Sequence, residues 1–523
     1  SATPCWGTTV RDTGCARARR RGWEHDTVIA DLTRLPGLSA ETFAELPPPL
    51  TSASDVVAGI RTGRTTARAV VDAALARADA LNPLLHAFTE LRHSAARAQA
   101  EAVDADLAAG RPLGPLAGVP VAVKEEYPEA GHVMTLGGRG NCAPETTDAE
   151  VITRLRRAGA VIIGRTLMPE FGQWPVGESE YHGAALNPWD ATRSPGGSSS
   201  GSAVAVAAGI VPVAMGSDGG GSVRIPASAC GLVGLKPSRG RVSLAPLAQA
   251  WSGMVTFGAI THDAADAALV LDVIHGNVDG DRWTLTAPER PYSEVVAAAR
   301  RAHAGPGGAV AARAAGPTAG LGRPLRILHA TNQVLGARPD PAVASAVERL
   351  AERLTGMGHD VRAARVAWPD PAPTFLTLYT AGIHEESTQV QHPERLGRST
   401  RRTARLGALL PEHVVGAARR RRDLLAVRLD KAFGRADLLL LPTLNGLPIG
   451  AHDFAGRGWL SALLASADII ENTALFNVTG HPCVSVPAGL SPTGLPVGAQ
   501  LVARRGREDL LLAAVAGLEG AGA

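Results

Sequence analysis

Positions 196–224 read GGSSSGSAVAVAAGIVPVAMGSDGGGSVR, in which two glycine- and serine-rich clusters flank an apolar run. Glycine lets other groups approach the main chain closely, and serine supplies a hydroxyl that can donate, accept or attack. Such clusters are often flexible linkers. Because the run between them, residues 203–215, is too apolar to be left in solvent, we expect a buried segment with functional loops at its ends.

The composition around this segment predicts a large globular protein. The chain has 523 residues, 45% of them apolar, so it can form one large α/β domain with insertions or two unequal lobes. The net charge of +3 gives no case for a nucleic-acid partner, and the basic run 419–422 is better explained as a solvated helix face. No run of 18 apolar residues occurs, which predicts no membrane span.

The cysteines and the first residues bear on where the protein works. Five cysteines, an odd number, stand at spacings that fit no zinc site, which indicates a reduced, cytoplasmic protein without a metal. Three arginines at 19–21 precede Trp-Glu-His-Asp, where a signal peptide would have its apolar core. We expect residues 1–27 to be a poorly ordered leader or a segment foreign to the native protein. The triplet His-Glu-Glu at 384–386 lacks a second histidine at metalloprotease spacing and is predicted to lie on the surface.

Lysine is rare in this chain, and its positions are informative. Of 52 basic residues only three are lysine, namely Lys124, Lys236 and Lys431. A desolvated lysine can lose its proton, whereas arginine effectively cannot, so a neutral amine base must be one of these three. Lys124 ends a short apolar strand, 118–124, at the sheet edge where chemistry tends to gather in α/β proteins. From the strand alone, an ordinary surface lysine stays an open alternative.

The serine clusters and Lys124 together suggest nucleophilic catalysis. A serine needs a base to attack, and no G-x-S-x-G elbow surrounds Ser198 or Ser222. The remaining option is a lysine base, as in known Ser–Lys arrangements, with burial lowering its pKa from the usual value of about 10.4. Residues 219–221, all glycine, would let consecutive backbone N–H groups converge on a developing oxyanion.

Periodicity and composition divide the chain into segments. Residues 28–110 are predicted to form N-terminal helices, 111–275 the catalytic core, and 325–523 the remaining core and the pocket elements. Residues 276–324 are predicted to be a mobile insertion, because 303–322 are nearly all Ala, Gly, Pro and Arg.

Four stretches resemble one known family. Residues 196–202, 216–226 and 230–237 closely resemble the motifs of the amidase signature family, and 118–124 resembles its lysine motif. The resemblance covers roughly residues 50–520. It implies an α/β fold with a large mixed, mostly parallel central sheet that is covered by helices on both faces.

The same resemblance implies a role for each motif residue. Ser222 would be the nucleophile, Ser198 a bridging serine in a cis peptide bond with Gly197, and Lys124 the base; no cofactor and no metal are implied. The oxyanion hole would consist of the amides of Gly219, Gly220, Gly221 and Ser222. The supporting residues would be Gly197, Ser199, Asp218 and Arg224. Lys236 matches a structural Gly-Leu-Lys-Pro motif.

The chain departs from the family pattern at three places. Glu125 and Glu126 follow the lysine where an aspartate is more usual. Gly219 replaces a residue with a side chain, which would loosen or widen the oxyanion loop. Leu167 stands where the family often has asparagine. None of these is in the triad, but each could alter the substrate pocket.

The implied function is hydrolysis of a carboxamide-type C–N bond in a small molecule: an amide, with aryl amides, oligoamides and carbamates as candidates. An aromatic-bearing stretch, 171–189, is either core packing or a pocket wall. Its content suggests a hydrophobic or aryl acyl group as a hypothesis. The predicted substrate-binding residues are Tyr127, Phe171, Trp174, Leu447, Ile449, Asn472 and Phe476.

Two alternatives to this function stay open. The first component chain (the A chain) of a glutamine-dependent tRNA amidotransferase resembles this protein in the same motifs, but would work with partner chains. A non-catalytic binding protein on the same fold is the other. For the main interpretation we expect a monomer or homodimer that binds neither nucleic acid nor membrane.

Overall fold

The computed structural model describes residues 30–303 and 323–520. The predicted leader, 1–27, lies outside the described residues. Within them, the helices are α1 Ala40–Glu45, α2 Ala53–Arg61, α3 Ala67–Leu85, α4 His93–Ala108, α5 Glu150–Arg157, α6 Ser200–Ala207, α7 Arg224–Cys230, α8 Ala264–Ile274, α9 Tyr292–His303, α10 Pro341–Gly356, α11 Ala372–Ser387, α12 Arg398–Ala408, α13 Glu412–Ala432, α14 Trp459–Ile470, α15 Ala474–Thr479 and α16 Glu508–Gly520.

The strands of the described chain form one large sheet and one small hairpin. They are β1 Phe88–Leu91, β2 Pro120–Lys124, β3 Val161–Thr166, β4 Glu178–Ser179, β5 Gly183–Ala184, β6 Val213–Asp218, β7 Val233–Lys236, β8 Thr256–Thr261, β9 Arg326–Ala330, β10 Asp360–Ala364, β11 Leu438–Pro442, β12 Cys483–Leu490 and β13 Pro496–Ala503. The large sheet has the order β1-β3-β2-β6-β8-β7-β12-β13-β11-β9-β10, and β4 pairs with β5.

The large sheet is mixed, as expected. Parallel pairing joins β2 to β3 and β6 on one side, and β9 to β10 and β11 on the other. The strands between these groups pair antiparallel. Strands β2, β3 and β6 are buried along their whole length, which is why their sequences are nearly continuous apolar runs without alternation. The mixed α/β fold is confirmed.

Alternate residues of strand β11 show that helices cover both faces of the sheet. Leu438 and Leu440 belong to the main core cluster, which also contains Leu350 of α10 and Leu511 of α16. Leu439 and Leu441 belong to a second cluster, which contains Phe433 and side chains of α15. Because successive strand residues point to opposite faces, the two clusters lie on opposite sides.

Two segment predictions need correction. The interval 276–324 is not mobile throughout, because α9 begins within it and packs Tyr292, Val295 and Val296 into the main core; its residues 304–322 lie outside the described residues. The N-terminal segment 28–110 also contains β1, which pairs antiparallel with β3 at the sheet edge. Strand β1 has only four residues, so its periodicity is too short to detect.

Two further findings concern predicted absences. No helix among residues 30–303 and 323–520 has both the length and the apolarity that crossing a membrane requires. The cysteines that the structure describes, Cys142, Cys230 and Cys483, are not joined in disulfides.

Candidate active site

Lys124 lies at the centre of a buried polar cluster. It is the last residue of β2, and its side chain is fully buried. Its Nζ atom lies 2.9 Å from Ser198 Oγ, 2.9 Å from Ser217 Oγ and 3.3 Å from Glu126 Oε1. Burial lowers the pKa of Lys124, although the Glu126 carboxylate opposes this shift. The strand thus delivers an amine with a weakened hold on its proton to two serine hydroxyls.

Ser198 stands in the loop before α6. The peptide bond between Gly197 and Ser198 is cis, as the resemblance implies. Gly197 has no room for a side chain, because an added Cβ would lie 2.2 Å from the Val176 carbonyl oxygen. Ser199 fixes the loop to β6: its hydroxyl donates to the Ser217 carbonyl at 3.2 Å and accepts the Ser217 N–H at 3.3 Å.

Ser222 lies directly before α7 and faces the surface of the cluster. Its carbonyl accepts the N–H of Ser199 at 3.1 Å, which ties the two serine loops together. The residue is 7% exposed, against 1% for Ser198. Within the described residues no hydrogen bond joins the hydroxyls of Ser198 and Ser222. The Ser222 hydroxyl instead borders two cavities described below.

The loop that carries Ser222 is held by a buried ion pair. Arg224 and Asp218 are both fully buried and make two hydrogen bonds of 2.9 Å to each other. Burial alone would raise the pKa of Asp218, but the Arg224 guanidinium holds it well below its usual range. Arg224 also donates to Asn477 Oδ1 and Gln500 Oε1, so the pair is linked to α15 and β13.

The amides of the glycine run are divided between two tasks. The Gly221 N–H donates to Asp218 Oδ1 at 2.7 Å, so it is occupied by the carboxylate. This corrects its predicted assignment to the oxyanion hole. The amides of Gly219, Gly220 and Ser222 have no protein acceptor among the described residues. They are the loop donors that remain for a ligand oxygen.

Side chains from distant segments fix the same loop. Thr473 Oγ1 donates to the Gly220 carbonyl at 2.5 Å, and Asn477 Nδ2 donates to the Asp218 carbonyl at 2.7 Å. Gly219 lies against Trp251, whose ring would be 2.9 Å from an added Cβ. The glycine at 219 therefore accommodates Trp251. This neighbour fills the space that a side chain at 219 would occupy, so the substitution does not simply loosen the loop.

Two cavities meet at Ser222. One, which we call the apolar cavity, has a volume of about 240 Å³ and is bordered by aromatic and aliphatic side chains, among them Trp174, Ile225, Trp251, Phe375, Tyr379 and Leu463. The other, which we call the polar cavity, has a volume of about 310 Å³ and is bordered by Glu126, Asn141, Ser198, Ser217, Gln249 and Glu386, among others. Ser222, Gly172 and Trp251 border both.

The predicted substrate-binding residues are placed in several different environments. Phe171 borders the polar cavity and Trp174 the apolar one. Leu447 and Ile449 border a third cavity of about 400 Å³, which contains neither Ser198 nor Ser222. This third cavity and the apolar cavity have Pro175, Ile225 and Glu471 in common.

Three of the predicted substrate-binding residues are structural. Tyr127 is fully buried, stacks on Phe257 at 4.2 Å and donates its hydroxyl to the Gly216 carbonyl at 2.7 Å. Phe476 is fully buried in the second core cluster. Asn472 is 1% exposed and uses its amide on Asn445 and the Val334 N–H. Each already has its partners within the protein, so none is available to a substrate.

The sequence interpretation also misses residues of the site. Glu386, predicted to lie on the surface with its neighbours, borders the polar cavity and accepts the Trp251 N–H at 3.3 Å. Burial raises the pKa of Glu386 to about 8, and the carboxylate of Glu126 adds to the effect. Ser217 is within the quoted motif, so its contact with Lys124 had a signal. Glu386 and Phe375, on α11, had none, because the fold alone brings them to Ser222.

Comparisons with known proteins agree with this geometry. The amidase family model matches residues 69–512. The putative amidase AmiB2 of Mycobacterium tuberculosis is 40% identical over 465 residues, 88% of this chain and 93% of that protein. One component chain (the A chain) of the glutamyl-tRNA(Gln) amidotransferase of Prochlorococcus marinus is 33% identical over 492 residues, 87% and 93% of the two chains. The solved structure of 6-aminohexanoate cyclic dimer hydrolase superposes with a TM-score of 0.79 at 31% identity, covering 90% of this chain and 96% of that one.

Proposed function

The chain belongs to the amidase family and is a hydrolase of amide C–N bonds, and on that premise we propose that it works through an acyl-enzyme on Ser222, with Ser198 as proton relay and Lys124 as base. The observation that carries the proposal is the 2.9 Å contact between the buried amine of Lys124 and the Ser198 hydroxyl. A lysine held by desolvation near its neutral form can accept a proton, which an ordinary surface lysine at neutral pH cannot.

The neighbours of Lys124 suit a neutral amine. A neutral amine has two N–H groups and one lone pair. Its three polar neighbours are the Ser217 hydroxyl, the Glu126 carboxylate and the Ser198 hydroxyl. The two N–H groups can point to Ser217 and Glu126, which leaves the lone pair for the Ser198 proton. This arrangement supports the role of Ser198 as the relay.

The reaction then follows from these positions. Ser222 Oγ attacks the carbonyl carbon and gives its proton to Ser198, which passes its own proton to Lys124. The amides of Gly219, Gly220 and Ser222 stabilise the negative charge of the carbonyl oxygen. The C–N bond breaks, and the leaving nitrogen takes a proton from Ser198, which regains one from Lys124. Water, deprotonated by the same relay, cleaves the ester and frees a carboxylic acid and Ser222.

The relay requires one contact that the unliganded protein does not make. Ser198 and Ser222 both border the polar cavity, but among the described residues their hydroxyls are not hydrogen-bonded to each other. Catalytic hydrogen bonds are often long or absent before substrate binds and tighten only in the complex. We therefore place the closing of the Ser198–Ser222 contact in the substrate complex.

The substrate is a small-molecule amide, the class on which relatives in this family act. Cleavage of an aryl amide, an oligoamide or a carbamate is a finer statement and belongs to this proposal. The predicted cytoplasmic location, the monomeric or homodimeric state and the absence of nucleic-acid and membrane partners also stay predictions. Fractionation of cells and size-exclusion chromatography would test the first two.

The amidotransferase component is the weaker candidate. Its support is the 33% identity to the chain from Prochlorococcus marinus, against 40% to a putative amidase. The apolar cavity beside Ser222 also suits an apolar group better than the carboxamide side chain of glutamine. Turnover of simple amides by the purified single chain would exclude a strict need for partner chains.

The proposal is tested by replacing the nucleophile. Ser222→Ala should lower kcat on any amide substrate by roughly 10⁶-fold, as removal of the nucleophile does in serine hydrolases, and should leave the circular dichroism spectrum unchanged. Ser461→Ala, at an exposed serine of α14, is the matched control and should retain full activity. A fluorophosphonate probe should label Ser222 in the parent protein. Retained turnover in Ser222→Ala would overturn the assignment.

A further inference from the structure

The two cavities at Ser222 differ in which catalytic groups they contain. Ser222 borders both, whereas Ser198 and Ser217 border only the polar cavity. The glycine run separates the two spaces: Gly219 borders the polar cavity and Gly220 the apolar one. An amide carbonyl bound at the loop amides therefore has one substituent directed into each cavity.

The proposed reaction fixes which substituent enters which cavity. The leaving nitrogen must take its proton from Ser198, so it must lie on the side of Ser222 that Ser198 occupies. That side is the polar cavity. The acyl group, which stays on Ser222 after the C–N bond breaks, then lies on the opposite side, in the apolar cavity.

From this geometry we propose that the natural substrate is an amide with a large apolar acyl group and an amine portion that carries a cationic or other hydrogen-bond-donating group. The inference rests on the proposed function, because it uses Ser198 as the proton donor. It goes beyond that function by assigning each half of the substrate to a cavity and by naming the chemistry that each half must have.

The apolar cavity is built for an acyl group of some length. Phe375 and Tyr379 stack with nearly parallel rings 6.0 Å apart, and Trp251 meets Tyr379 edge-on at 5.1 Å. The Phe375 ring lies beside the oxyanion loop, since Cζ would be 3.1 Å from a Cβ at Gly220. Burying apolar atoms on such a surface favours binding in proportion to the area removed from water.

Exposed leucines at the border of the apolar cavity extend this surface outward. Leu335, Leu376 and Leu464 all border the cavity and are 47%, 44% and 63% exposed. They belong to three different segments of the chain. An acyl chain longer than the enclosed space can thus continue over apolar side chains rather than pass directly into water.

The polar cavity has the opposite character. The carboxylates of Glu126, Glu145 and Glu386 border it, and none of its bordering residues in the described chain is lysine or arginine. Glu126 is already close to Lys124, whereas the Glu386 carboxylate accepts only from Trp251 within the described protein. Glu386 thus has acceptor capacity left for an ammonium or another donor on the amine portion of a substrate.

A pair of mirrored amides tests the orientation. The first joins 4-phenylbutanoic acid to one nitrogen of 1,3-diaminopropane; the second joins 4-aminobutanoic acid to 3-phenylpropylamine. Both carry the same phenyl and ammonium groups on the two sides of one amide, in opposite order. The inference requires kcat/KM to be at least about tenfold higher for the first. Equal values, or a preference for the second, overturn it.

Two variants connect the preference to the cavities. Glu386→Gln should lower the kcat/KM of the first amide about tenfold relative to its neutral analogue with an N-butyl group, since a charge-assisted hydrogen bond is lost. Glu412→Gln, at a side chain that is 80% exposed, is the control and should leave this ratio unchanged. Phe375→Ala should lower the ratio between 4-phenylbutanoyl and acetyl substrates about tenfold. Unchanged ratios in both variants count against the assignment.

Failure of this inference is distinguishable from failure of the proposed function. If a fluorophosphonate labels Ser222 but the two mirrored amides react equally, or neither reacts, the orientation is wrong and the nucleophile stands. If Ser222 is not labelled and Ser222→Ala retains activity, the proposed function itself is wrong.

Discussion

Lys124 Nζ lies 2.9 Å from Ser198 Oγ, although 74 residues separate the two in the chain. The contact is possible because Lys124 ends a buried strand and Ser198 precedes a buried helix packed against that strand. It joins a fully buried amine to a hydroxyl that is itself 1% exposed. An amine in this position has little to gain from carrying a charge, and this is the property that the proposed chemistry needs.

The first prediction concerns the identity of this amine. Lys124→Arg keeps a positive side chain of similar length but removes the ability to become neutral, because arginine is protonated throughout the usable pH range. We expect kcat to fall by about 10²–10⁴-fold, the range typical for loss of a general base. The measurement is steady-state kinetics at saturating amide.

Lys431→Arg is the matched control for this substitution. Lys431 is exposed near the end of α13, and its replacement should leave kcat unchanged. Circular dichroism must show that Lys124→Arg is folded, since a buried guanidinium is larger than an ammonium. A folded Lys124→Arg variant with full activity would show that no neutral amine is needed.

The second prediction concerns pH. The base must be neutral to accept a proton, so kcat/KM should be low at acidic pH and rise as the pH passes the pKa of Lys124. Burial lowers this pKa, whereas Glu126 raises it. Glu126→Gln removes the opposing charge. The acidic limb of the pH profile should therefore move to lower pH in this variant.

The pH shift separates an electrostatic role of Glu126 from a role in binding. If Glu126 only contacted substrate, Glu126→Gln would change KM and leave the position of the limb unaltered. Glu412→Gln, at an exposed carboxylate, should not move the limb. A limb that moves to higher pH in Glu126→Gln would contradict the assignment of Lys124 as the base.

The parts of the site that lie in continuous motifs are predictable from the sequence. Ser198, Ser199, Asp218 and Arg224 stand within a few residues of each other in two glycine-rich clusters, and the structure brings these clusters together. Their positions are predictable because both glycine clusters adopt backbone paths that few other residues allow. Asp218 in addition occupies one of the loop amides, and that detail is not predictable.

The rest of the site cannot be predicted, since it depends on packing between distant segments. Thr473 contacts Gly220 across 253 residues, and Glu386 contacts Trp251 across 135. No local pattern distinguishes these residues from others of their helices. Tyr127 shows the opposite error: an aromatic residue near a catalytic motif is predicted to be a pocket wall, but its ring and hydroxyl are both used in the core.

The third prediction concerns the buried ion pair. Asp218→Asn leaves the Arg224 guanidinium buried without its counter-charge, and breaking such a pair typically costs about 3–5 kcal/mol. We expect a corresponding fall in the free energy of unfolding, measured by urea denaturation, together with a loss of activity from the displaced loop.

An exposed pair on the same sheet provides the comparison. Asp360 and Arg362 lie on β10 with side chains 43% and 77% exposed, and their contact is 3.0 Å long. Solvent screens this pair, so Asp360→Asn should leave the urea midpoint nearly unchanged. Equal effects of the two substitutions would mean that burial of Asp218 and Arg224 does not determine their contribution.

The fourth prediction concerns Thr473, which holds the oxyanion loop from outside. Its hydroxyl donates to the carbonyl of Gly220 at 2.5 Å, in the loop whose amides are left for the substrate oxygen. Thr473→Val keeps the side-chain shape and removes this bond. If the bond positions the amides, kcat should fall about tenfold with little change in KM, because stabilisation is lost mainly in the transition state. Thr355→Val removes a hydroxyl that bonds within α10, away from the loop, and should not affect kcat. A Thr473→Val enzyme with unchanged kcat would show that Asp218 and Asn477 hold the loop without help from Thr473.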